Sequence, residues 1–236
     1  MKRNMKALVI WVAFLMAAAV STAELWVGAA EANITPDRPV SLAGQFHQRI
    51  SKRVESPCMA NVLVLETRAE GKTAEQAVMI ALDVVTVPVE VQRDLRALMA
   101  ARVPGLDVEK LVLAATHTHT GPTLDQERFS DYGEALQPKE YVPWMLERLA
   151  EAVARAWEGR KPGGVAWGLG HAVVGHNRRA AYADGTAVMY GKTDQPNFTH
   201  LEGWEDHAVD VLGFTDADGR LVAASVVVPC PSQVVE

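Results

Sequence analysis

Apolar residues recur along this chain in two rhythms, and each predicts a different kind of element. Near-continuous apolar runs at residues 25–30, 59–67, 77–87 and 111–116 have the length and branched content of buried strands. Gly71-Lys72 separates the second run from the third and predicts a hairpin. A helical rhythm follows at 90–102, where Val91, Leu95, Leu98 and Met99 share one face, after Pro88 and before Pro104-Gly105. Strand 77–87, helix 90–102 and strand 111–116 therefore make a β-α-β unit whose two strands lie parallel. A longer helix is expected at 140–158, with Trp144, Leu146, Leu149, Val153 and Trp157 as its apolar stripe and Gly159 after its end. Beyond it the pattern changes to strand and turn. Runs at 165–174 and from Ala180 precede a tight turn at Asp184-Gly185, and a last hairpin pairs 207–215 with 221–228. The fold class that follows is α/β: a mixed sheet with a β-α-β core flanked by helices, then antiparallel hairpins, in one domain over residues 24–236.

The first residues follow a different logic. Lys2, Arg3 and Lys6 precede an uncharged apolar stretch at 7–20, and Ser21-Thr22-Ala23 ends it with small residues. That is the pattern of an export signal over residues 1–23, with Glu24 as the first mature residue and a secreted or periplasmic destination. The stretch is shorter than the roughly 20 residues of a spanning helix, and an uncleaved anchor is the alternative. Those three cations are the only charged residues there, so their removal takes the net charge from −6 to −9. An acidic chain without a basic stripe excludes nucleic acid as a partner. Two cysteines, Cys58 and Cys230, suit either a disulfide in an oxidising compartment or a metal or catalytic role for one of them. The final strand runs into 229–236 with no closing element, which leads to the expectation that a C-terminal part of the same protein is missing here.

Candidate chemistry concentrates where apolar runs stop. Leu111–Ala115 leads directly into Thr116-His117-Thr118-His119-Thr120-Gly121-Pro122. On an extended backbone, residues two apart point the same way, so His117 and His119 would project together from the end of a buried strand. Imidazoles so placed suit metal ligation or proton transfer, and the plainer alternative is hydrogen bonding that caps the strand. The parallel pairing brings Asp83 to the same edge, either orienting an imidazole or bonding the backbone of its own turn. A second polar cluster holds His171, His176, Asn177, Arg178, Arg179 and Tyr182, where an arginine clamp and a solvated loop compete as readings. Cys230, fixed between Pro229 and Pro231, suits a metal thiolate, a nucleophile or half of a disulfide with Cys58. His47 has no assigned role, and His200 and His207 fit surface roles.

Four stretches taken in order resemble the neutral/alkaline non-lysosomal ceramidases. They are Val27-Gly28-Ala29-Ala30 with Ile34-Thr35-Pro36, then Ala81-Leu82-Asp83, the Thr116–Pro122 motif, and Asn177-Arg178-Arg179-Ala180-Ala181-Tyr182. The resemblance covers the mature chain but only the N-terminal part of that family's catalytic domain. It implies Zn2+-dependent hydrolysis of a small-molecule or lipid N-acyl amide, in sphingolipid metabolism, and leaves room for peripheral membrane contact. It further implies His117 as a zinc ligand, His119 at the reacting carbonyl, Arg178 holding substrate, and Asn177 and Tyr182 beside it. Where the family has a second zinc histidine before a proline, this chain has Cys230-Pro231. The family's remaining ligands lie beyond residue 236. The competing expectations are a secreted binding domain that keeps the fold without catalysis, and a structural domain stapled by Cys58 and Cys230.

Overall fold

A computed structural model describes residues 23–232, and the expected export signal lies outside them except for Ala23. The strands at the front of the chain are β1 (Glu24–Asn33), β2 (Ser41–Leu42), β3 (Arg49–Ile50), β4 (Met59–Ala69) and β5 (Lys72–Leu82). Helix α1 (Val89–Arg102), strand β6 (Leu111–Ala115) and helix α2 (Pro138–Glu158) follow. The rest is β7 (Lys161–His171), β8 (Arg179–Tyr182), β9 (Ala187–Met189), β10 (Phe198–Leu201), β11 (Ala208–Asp216) and β12 (Leu221–Val227). This is the mixed α/β architecture expected from the pattern.

Seven strands form the main sheet in the order β12-β11-β7-β1-β4-β5-β6. Every neighbouring pair is antiparallel except β5 and β6, which run parallel with Ile80 beside Leu113. Helix α1 makes the crossover between those two, so the β-α-β unit read from apolar spacing is present. A smaller sheet, β10-β8-β9, carries the turn at Asp184-Gly185.

Strand periodicity decides what each face buries. On β4, Ala60, Val62 and Val64 join the large core under the helices, and Leu63 and Leu65 join a small cluster with Val27 and Phe214 on the other face. On α2 the core-facing residues include Tyr141, Met145, Leu149, Ala152, Val153 and Ala156. Trp144 departs from the expected stripe: it is exposed, beside Tyr141 and under the Arg148 guanidinium. One helical step of about 100° separates it from Met145, enough to turn a side chain from core to rim.

Two strand boundaries also differ from expectation. β5 begins at Lys72 and ends at Leu82, not at 77 and 87. Its polar first half is held by pairing with β4 rather than by burial, as Gln76 opposite Glu66 and Glu75 opposite Thr67 show. It stops at Asp83, whose side chain turns back to accept the Met59 N–H at 2.9 Å. β7 likewise starts at Lys161 and ends at His171 rather than at 174, because its partner β11 begins at Ala208.

Candidate active site

The parallel pair β5–β6 ends at Leu82 and Ala115, and the chain leaves both strands at the same edge. Ligand sites of α/β sheets lie beyond such carboxyl ends. Here Asp83 follows one strand, and Thr116 through Thr120 follow the other.

His117 and His119 do come together, though not by an extended backbone. β6 is over at Ala115, and His117 takes a left-handed conformation with φ of 60°. A non-glycine residue held there is a local cost that surrounding contacts must sustain. The two rings lie 5.0 Å apart, tilted by 57°. Nδ1 of His117 bonds the Val85 carbonyl oxygen at 2.9 Å. If Nδ1 carries the proton, Nε2 is left as the lone-pair nitrogen, the arrangement common to metal-ligating histidines.

The β2–β3 hairpin packs onto this loop from the other side. Ala43 N–H donates to the Gly121 carbonyl, Thr123 N–H donates to that of Ser41, and Leu42 bridges Pro122. Gly44, at φ of 103°, lies flat against the His119 ring: a Cβ there would stand 2.3 Å from Cγ. Gly121 is as tightly placed, since a Cβ would come within 2.5 Å of the Asp83 carbonyl oxygen. Arg49 ties the two loops together by donating from Nη2 to the carbonyls of Ala43 and His119. Burial, followed by the nearby positive charges of His117, Arg49 and Arg178, lowers the His119 pKa below that of a free imidazole. These surroundings favour the neutral form of His119.

Two hollows border the segment after β12, Ser232 lining one and Cys230 and Pro231 the other. The larger, about 1040 Å³, lies between the β2–β3 hairpin and the loop, and Asp83, Thr116, Thr118, Thr120 and Ser232 help line it. The smaller, about 680 Å³, is lined by Asn177, Arg178, Trp204, Glu205 and Cys230. The threonines that alternate with the histidines face the larger hollow, and neither imidazole lines it. The His119 backbone N–H donates to the Ser232 carbonyl, which ties the segment after β12 to the histidine loop.

The other expected site residues divide. Arg178 stands within electrostatic reach of His119 and donates from Nη1 to the Tyr190 hydroxyl at 2.8 Å. Asn177 lines the smaller hollow and uses its side-chain amide on the Trp204 carbonyl. Tyr182 does not join them: it lines neither hollow, donates its hydroxyl to the Lys192 carbonyl and packs edge-on against Phe198. Its ring serves the small sheet. Asp83 is also redirected. Its oxygens accept from Met59 N–H and the Thr116 hydroxyl, and a backbone carbonyl, not this carboxylate, orients His117. The carboxylate is taken because Met59 lies directly across the strand pair from it.

Both cysteines are free thiols, and the expected staple is not formed. Burial, and then the Asp83 charge, push the Cys58 thiol up to about 11. Cys230 packs against Gly175 at the mouth of the smaller hollow. Among the described residues no three His, Cys, Asp or Glu side chains are gathered closely enough to hold a metal ion. His117 keeps Nε2 out of that backbone bond, and its ring neighbour is His119.

Three contributors were not visible in local sequence. Arg49, Tyr190 and Glu205 each act on residues far along the chain, and no short-range pattern marks them. Only the positive φ of Tyr190, 56°, sets one of them apart, and that is a property of the folded backbone.

No protein-family model matches the chain. Over 172 residues, 70% of its length, it is 26% identical to a neutral ceramidase of Pseudomonas aeruginosa. That alignment spans only 23% of the relative, so the chain corresponds to about a quarter of it. The fold superposes on the crystal structure of neutral ceramidase from Pseudomonas aeruginosa with a TM-score of 0.66 at 20% identity, covering 89% of this chain and 32% of that one. A ceramidase complexed with C2 gives a TM-score of 0.64 at 20% identity, with the same coverage of 89% and 32%.

Proposed function

We propose that this chain, which resembles part of the neutral ceramidases in sequence and shares their fold, forms the histidine-bearing part of a hydrolase of N-acyl amides. The observation that carries the reading is the His117–His119 pair beyond the parallel strands β5 and β6 of the main sheet, with Arg178 in electrostatic reach. His119, in the neutral form its surroundings favour, offers an N–H to the amide oxygen, and Arg178 offers a fixed positive charge to the oxyanion that develops there. Ceramide is the first substrate to try, because the relatives are named for it. In that setting His117 would serve as a zinc ligand and Cys230 as a candidate thiolate donor. A bound zinc would supply a water of lowered pKa near the carbonyl. The described residues do not by themselves complete a zinc site.

The test uses the full-length protein. Hydrolysis of a fluorescent short-chain ceramide that is lost on chelation, together with zinc content that falls in His117→Ala, supports the reading. Turnover that persists through both treatments would sink it. Cys230, where the resembled family has a zinc histidine, motivates one second reading, a secreted binding domain of the same fold without catalysis. It predicts ligand-induced thermal stabilisation with no product. Export belongs to the same proposal and rests on residues 1–23; N-terminal sequencing of secreted protein should begin at Glu24.

A further inference from the structure

Arg178 sits on residues 172–178, a stretch between β7 and β8 that pairs with no strand. Something else must fix it. Its backbone has few ladder partners, and one of them is the Ala172 N–H donated to the His207 carbonyl. The Asn177 N–H has no backbone acceptor and goes instead to Oε1 of Glu205 at 2.8 Å. The other carboxylate oxygen of Glu205 stands 3.4 Å from Nδ1 of His176 and 3.5 Å from Nε2 of His207. One side chain therefore collects the residue before Asn177, the Asn177 backbone itself and the start of β11. The neighbouring residues repeat the grip: Trp204 accepts from the Asn177 amide, and the Glu202 N–H donates to the Arg179 carbonyl. Glu202 also pairs its carboxylate with the Arg179 guanidinium at 2.9 Å.

We propose that Glu205 is the positioning residue for Arg178, holding the 175–179 segment so that the guanidinium stays against Tyr190 and within electrostatic reach of His119. The proposal rests on the hydrolase reading above for its catalytic meaning. A carboxylate suits the task because an anionic acceptor binds a backbone N–H more strongly than a neutral one. The Asn177 N–H is also the foremost influence holding the Glu205 carboxyl below the usual carboxylate range. Beyond the clamp, Tyr190 braces the side chain: its ring lies 5.1 Å below the guanidinium, and its own N–H donates to the Arg178 carbonyl. A guanidinium held at both backbone and head group is pre-set for its partner, and small displacements of such groups are costly for rate.

The experiment is a double-mutant cycle on the full-length protein, with Glu205→Ala, Arg178→Ala, both together, and Glu205→Gln. If Glu205 acts through Arg178, Glu205→Ala lowers kcat/KM on the order of tenfold to a hundredfold in the native background and adds almost nothing to Arg178→Ala. Glu205→Gln keeps an oxygen for the Asn177 N–H and restores most of the loss. Equal losses in both backgrounds, or no rescue by glutamine, would overturn the proposal. Amide hydrogen exchange at residues 176–179 decides the clamp without turnover. It should accelerate in Glu205→Ala while α2 stays protected, and unchanged exchange also overturns the proposal. A wild-type protein without turnover removes the hydrolase reading and leaves the exchange result to judge the clamp.

Discussion

Gly44 shows how much can depend on the absence of one methyl group. Its φ of 103° is open to glycine alone at low cost, and the His119 ring occupies the space a Cβ would need. Gly44→Ala should therefore lower stability by about 1–3 kcal/mol, read by urea unfolding, and shift the His119 ring resonances. A wild-type midpoint with unmoved resonances would mean the hairpin and the ring are not in contact. Glu66 is the other residue on which much hangs. It is 2% exposed, on the helix-facing side of β4. Burial alone would raise its pKa, but hydrogen bonds from Arg68, Thr73 and Arg160 hold it at about 2 against an ordinary 4.5. Its pKa is depressed in the folded state, so its contribution is complete above the unfolded value and disappears as pH falls from there through about 2. The amount is on the order of 3 kcal/mol. Denaturant unfolding across that acid range should show the loss in the native protein and a much flatter profile in Glu66→Gln. Glu66 was not legible as a buried charge, because Arg160 comes 94 residues later and no local spacing connects them.

At the scale of elements, periodicity predicted the kinds of strand and helix well and their ends less well. Continuous apolar runs locate β4 and β6, a helical rhythm locates the crossover helix between β5 and β6, and together they give the parallel pairing that sets the site at one sheet edge. Ends were misplaced where pairing, not burial, holds a strand, as in the polar first half of β5. The His loop is a different case. The i, i+2 spacing correctly put the imidazoles together, but through a left-handed His117 rather than the extended backbone assumed. Helix α2 adds a prediction of its own. The Tyr141 hydroxyl, wholly inside the core, donates to the Ile34 carbonyl and fastens α2 to the exit of β1. Tyr141→Phe leaves that carbonyl unpaired and should cost about 1–3 kcal/mol in thermal or chemical unfolding with the fold retained. A neutral change would show that another donor reaches Ile34.

The whole molecule is unevenly covered. Helices shield β1, β4, β5 and β6 on one side, while β7, β11 and β12 extend the sheet beyond them. On the face of Phe214, Val165, Trp167, Leu169, Leu212 and Val227 are exposed, with Trp167 open by 76%. Cross-strand pairing aligns them, Trp167 opposite Leu212 and Val165 opposite Phe214. So broad an apolar face favours association. Residues 24–236 purified alone should therefore sediment above the monomer mass with rising concentration and bind a hydrophobic dye. Trp167→Lys should reduce both, and a monomeric, dye-silent wild type would contradict the expectation. The chain by itself determined its strands and helices, the parallel unit and the neighbourhood of His117 and His119, because side-chain period and connection handedness are local rules. Tertiary structure alone decided that Val85 and not Asp83 orients His117, that Tyr182 serves a sheet, and that Glu205 grips the Arg178 loop. Those outcomes depend on which distant backbone N–H or carbonyl stands nearest in space, and no spacing along one chain encodes that.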